Sequence, residues 1–140
     1  MSNKNPLKKY VEEIGLPSSI EHEEAVLGTL LKDKSVFEML TEAMVGKDHF
    51  YSPTMKSVYS ACCDLIDSGK EIDILIVKAY LKQNHSDKNV LKTLMELLEI
   101  EIPTFHIPTH IDGLVEFYQR REQTLQAIKS FEESYNGKFT

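Results

Sequence analysis

Apolar positions along this 140-residue chain recur mostly at three- and four-residue steps, the spacing of one face of an α-helix. After Pro17, the stretch SSIEHEEAVLGTLLKD sets Ile20, Leu27, Leu30 and Leu31 on such a face. Ser18 or Ser19 can cap it, and Glu21 and Glu23 fall in a first turn, where the helix dipole favours anions. KSVFEMLTEAMVG repeats the pattern through Val36, Phe37, Leu40 and Met44, and Gly46 is placed to stop it. A third helix is predicted with Ser52 as cap, Pro53 at its first position, and Met55, Val58, Tyr59, Cys62, Leu65 and Ile66 down one face.

SGKEIDILIVKAYL reads two ways, because its β-branched content suits a strand while Ile76, Val77, Tyr80 and Leu81 keep helical spacing. Gly69 as the end of one helix and Asp73 as the cap of the next favour helix. Val90, Leu91, Leu94, Leu97 and Leu98 form another stripe, with Ser86 or Asp87 to begin it. Pro103 and Pro108 then break the pattern, and a last helix is expected from about Thr109 to Tyr135. Ile111, Leu114, Tyr118, Leu125 and Ile128 form its seam, with Arg121 and Glu132 at two further seam positions. A helix of about 27 residues is about 40 Å long, so part of its stripe is expected to await a partner. Residues 1–16 read as a loose leader.

The chain is 41% hydrophobic and 27% charged, with six glycines and five prolines, too little turn chemistry for an all-β fold. Its net charge of −6 lacks the basic footprint of a nucleic-acid-binding module, so no direct nucleic-acid contact is expected. No stretch approaches the roughly 18 to 20 apolar residues of a membrane span, and MSNKNPLKKY lacks the apolar core of a signal peptide, which predicts a cytoplasmic protein. Cys62 and Cys63 are then expected to be reduced thiols, one facing inward.

The Gly69-Lys70 pair raises a phosphate-binding loop, yet Asp64 and Glu71 stand where that loop needs a glycine and a hydroxyl. Two carboxylates there would repel a triphosphate. His106 and His110 have the spacing of a helical ligand pair, but Pro108 lies between them and no Cys or Glu cluster flanks them, so no metal site is expected. No nucleophile elbow or glycine-rich loop frames a catalytic residue. The Phe50-Tyr51 pair reads as core packing, with a partner anchor as the alternative.

Several of these pieces, in this order, resemble the N-terminal domain of the DnaB-like replicative helicase family. Pro17, Glu23, Ala25, Val26, Leu27 and Gly28 match its proline-led first helix, and Phe50 and Tyr51 match its Phe-Tyr pair. Gly69, Ile72 and Asp73 match a helix-separating Gly and apolar-Asp pair, with Leu81 closing the block. Met55 and Ile76 stand where the family usually has His and Thr. The resemblance implies an all-α fold: a compact helical head, here 17–103, and a long helix, 104–140, that is the first arm of a helical hairpin. It implies a collar domain for ring assembly and primase docking, with no ATPase activity and no cofactor in this stretch. ATP and magnesium belong to a motor domain that would follow, as would a second hairpin arm. Implied partners are further copies, joined through the long helix, a primase and a helicase loader, with no membrane. Ile111, Leu114, Tyr118, Arg121, Leu125 and Ile128 are the expected contact residues. Readings from other classes are a stand-alone helical adaptor or primase-associated domain, and a small helical ligand-binding or metal enzyme.

Overall fold

The computed structural model describes residues 5–84 and 88–137, with side chains to 135. Among these, seven α-helices and two short 3-10 turns account for all regular structure. The helices are α1 (Pro6–Ile14), α2 (Ile20–Leu30), α3 (Ser35–Glu42), α4 (Pro53–Asp67), α5 (Ile74–Asn84), α6 (Lys88–Leu97) and α7 (Ile107–Gly137). Ser86 and Asp87, expected to begin α6, lie outside the described residues.

The core forms around α2, which is buried from Ala25 to Leu31 and packs on α3, α4, α6 and α7. Val58, Ala61, Cys62 and Leu65 of α4, Leu94 and Leu97 of α6, and Ile107, Ile111 and Leu114 of α7 join it, as do Val36 and Leu40 of α3 and Val77 and Leu81 of α5. Gly28 sits where an added Cβ would lie 2.8 Å from the Ile100 Cβ, so only a residue without a side chain lets the α6 exit approach α2 this closely.

Helix boundaries follow local chemistry. Ser52 Oγ accepts from the Met55 N–H with Pro53 at the first helical position, and Asp73 Oδ1 accepts from the Ile76 N–H at 2.9 Å. At the end of α4, Gly69 adopts φ 74° while the Lys70 N–H returns to the Leu65 carbonyl, a Schellman closure.

Three boundaries differ from the sequence expectation. The stop of α3 is not Gly46 but Met44, at φ 60°: the Val45 N–H bonds the Leu40 carbonyl and its side chain turns inward, so the left-handed residue must come immediately before it. The helix α7 begins at Ile107, since Pro108 in a first turn deprives the helix of no hydrogen bond. Within the stretch read as a leader, residues 6–14 form α1. Asn5 Oδ1 accepts from the Leu7 and Lys8 N–H groups, Pro6 opens the helix, and the Asn5 amide donates to the Ile128 carbonyl of α7 at 3.1 Å.

The division at residue 104 is also less sharp than the sequence suggested. The first two turns of α7 belong to the head's core, and only the part beyond Arg121 projects as an arm.

Candidate functional site

The polar chemistry of the chain gathers where α2, the loop before α4, and α7 meet. Ser19 caps α2 by accepting from the His22 N–H, which fixes Glu23 one turn in and directed at that loop. Glu23 is 1% exposed, and its carboxylate accepts from the Tyr51 N–H at 2.9 Å and the Ser52 N–H at 3.2 Å. The Ser52 N–H is one that the start of α4 leaves without an intrahelical partner, and the Tyr51 N–H lies in the loop just before it. Burial pushes the Glu23 carboxyl above its ordinary range, and the two N–H bonds and nearby Arg121 and Lys56 oppose that shift.

From the other side, Arg121 of α7 is 5% exposed and donates to three carbonyls: Pro17 at 3.1 Å, Asp48 at 3.3 Å and His49 at 2.8 Å. Its guanidinium lies over the Tyr51 and Tyr118 rings at 5.4 and 5.8 Å. The planar fork, not merely a positive charge, makes this possible. Tyr118 in turn stacks on His49 with ring centroids 4.1 Å apart. Beside this latch, Leu16, Tyr51, Lys56, Tyr118 and Leu125 line a groove of about 340 Å³.

His110 does not pair with His106. Its Nδ1 lies 3.0 Å from Nδ1 of His22 on α2, and Phe117 packs against His22 with ring centroids 6.0 Å apart. Gly113 makes room for this pair, because a Cβ there would lie 2.4 Å from the His22 ring. Among the described residues, no group of three His, Cys, Asp or Glu side chains is arranged to hold a metal ion. Cys62 is buried and Cys63 half-buried, both as free thiols, and burial pushes the Cys62 thiol up to about 12, far from reactive.

The structure separates the expected contact residues into two sets. Ile111, Leu114 and Arg121 are buried within the chain itself, so they are unavailable to a partner. Tyr118 and Ile128 are half-buried, and only Leu125 is exposed, at 45%. Phe131 and Tyr135, which the sequence reading passed over, are exposed on the same helix. At 100° per residue, Leu125, Ile128, Phe131 and Tyr135 fall within an arc of about 120°, a single stripe. On α1, Leu7, Tyr10 and Ile14 form a second exposed row at helical spacing.

Of the family-motif residues, Pro17, Glu23 and Tyr51 meet at the latch, whereas Leu27, Phe50 and Leu81 are core. Gly28, Gly69 and Asp73 serve packing, turn and cap. The pair Phe50-Tyr51 is thus divided, with Phe50 fully buried against Tyr59 and Tyr51 exposed beside Arg121.

Fold and site together define an all-α domain in which buried polar ties clamp a compact head to a long terminal helix. The chain matches the model of the DnaB-like helicase N terminal domain over residues 15–116, and it belongs to that family. It is 32% identical over 85 residues to the replicative DNA helicase DnaB of Nostoc sp., and 35% identical over 66 residues to that of Treponema pallidum. Those matches cover 57% and 47% of this chain but only 10% and 15% of the two helicases. The fold is that of the crystal structure of the N-terminal domain of DnaB helicase from Mycobacterium tuberculosis, with TM-score 0.81, 21% identity and 89% of each chain covered. None of the helices in the described residues is long and apolar enough to cross a membrane.

Proposed function

We propose that this chain is the collar domain of a replicative helicase, mediating ring assembly and primase docking, and that it hydrolyses no ATP itself. The observation that carries this reading is the apolar stripe of α7 beyond Arg121, through Leu125, Phe131 and Tyr135, within a chain that belongs to the helicase family. An exposed stripe on a projecting helix is costly to leave in water and suits a helix-to-helix contact. The −6 net charge supports a protein partner over direct contact with DNA. A primase and a helicase loader are the partners proposed beyond further copies.

Sedimentation velocity tests the contact directly. Leu125→Asp with Phe131→Asp alters only exposed positions, so helix content by circular dichroism should be unchanged while self-association and binding of purified primase are lost. Self-association and primase binding that both survive in a folded double variant would overturn the reading.

A further inference from the structure

A second surface lies between α3 and α4 and shares no residue with the stripe on α7. It is a cleft of about 660 Å³, open to solvent, with Phe37, Val45 and Tyr59 as its apolar lining and Asp64 and Asp67 along one wall. Tyr80 donates to Asp64 at 2.6 Å, which fixes that carboxylate in place, and Lys47 stands as the one basic lining residue against the two acids.

Met44 lines this cleft too, and the fold alone does not explain it. Its backbone is left-handed at φ 60°, a conformation in which glycine is the least strained choice. Its side chain is 84% exposed, so it contributes little to the core. A methionine there costs backbone strain and leaves most of its apolar surface in water. Methionine is the unbranched, polarisable residue that adapts to an incoming apolar surface.

We infer that the cleft between α3 and α4 docks an amphipathic helical segment of a partner protein, whose apolar residues contact Met44 and Phe37 and whose arginines or lysines face Asp64 and Asp67. The charge balance of the wall selects a basic segment, and the open shape suits a docked helix better than an enclosed small molecule. A single cleft of this size gives weak, micromolar binding, so the contact is reversible.

The probe is a synthetic amphipathic helix of about 14 residues, with leucines on one face and flanking arginines, titrated into the isotope-labelled chain. A copy with glutamates in place of the arginines is the control. Expected are amide shifts centred on Val45, Tyr59 and Cys63, and a clear preference for the arginine peptide that shrinks as salt is added. Met44→Gly should raise the melting temperature yet weaken binding on the order of tenfold, a split that a purely structural role would not produce. Asp64→Asn with Asp67→Asn should weaken binding of the arginine peptide and flatten its salt dependence. Unchanged affinity in Met44→Gly, equal binding of the two peptides, shifts confined to the α7 stripe, or no binding would each overturn the inference.

Discussion

The Nδ1 atoms of His22 and His110 lie 3.0 Å apart across the α2–α7 contact, although the two residues are 88 positions apart in the chain. At that distance one nitrogen must donate and the other accept, so the pair holds a single proton between its facing atoms. Burial, and then the neighbouring His22 and His106, hold His110 below its ordinary value of 6.5. His49, half-buried under Tyr118, is pushed the same way, first by burial.

Acid should therefore loosen the head from the long helix. In the unfolded chain His110 and His49 take up protons near pH 6.5, whereas in the folded chain these two do so only at lower pH. Their contribution is fully present above about pH 6.5 and declines as pH falls through the depressed folded values. Urea midpoints should be flat between about pH 7 and 8 and fall by about pH 5.5, with a shallower fall in His110→Gln. An equally steep fall in that variant would place the sensitivity elsewhere.

Arg121→Lys should destabilise the chain by about 2 to 3 kcal/mol, because an ammonium on a flexible stem cannot bridge the Pro17, Asp48 and His49 carbonyls at once as the buried guanidinium does. Glu23→Ala leaves the Tyr51 and Ser52 N–H groups unpaired and should cost a similar amount, about 2 to 4 kcal/mol. The two side chains hold neighbouring parts of one loop, so the double variant should lose less than the sum, by about 1 kcal/mol. Chemical denaturation of the four chains measures the coupling; strict additivity would mean the ties act independently.

Gly113→Ala forces a methyl into the His22 ring and should cost about 1 to 3 kcal/mol. Removing the ring as well, in Gly113→Ala with His22→Ala, should recover part of that loss if the clash is its cause. A melting series by circular dichroism distinguishes this from the general effect of glycine in a helix, since alanine at an uncrowded site would stabilise by about 1 kcal/mol.

Asn5→Ala removes both the cap of α1 and its bond to the Ile128 carbonyl. The loss should be about 1 kcal/mol and local. Hydrogen exchange should quicken in α1 and along α7 near Ile128 while the amides of α2 and α4 stay protected. Protection of α1 equal to that of the intact chain would show that Asn5 is not what secures it.

What could be read from the sequence divides by the range of the interaction. Ser52, Pro53, Gly69 and Asp73 act on backbone atoms a few positions away, so their residue types announced the helix ends. Met44 hid the end of α3, since a methionine gives no sign of a left-handed backbone. The start of α1 at Asn5 and Pro6 went unread, because a weakly amphipathic stretch of nine residues carries no local sign that it docks on α7. Glu23, Arg121 and the His22 and His110 pair act across distances of 28 to 104 residues, which no local pattern encodes. Periodicity marked the seam of α7 correctly as apolar. It could not tell that Ile111 and Leu114 are buried in the head while Leu125 is left in water, because one spacing serves both ends of the helix.

Beyond Arg121 the long helix continues for about 24 Å to Gly137, and the contacts described there come from α1. Such a rod converts small rotations into large displacements: tilting about the latch by about 5° moves its tip about 2 Å, enough to make or break a packed contact. The nine residues of α1, joined to the rod at Ile128 and Glu132, thus stand as a brace against such tilting, far from the rod in sequence and beside it in space.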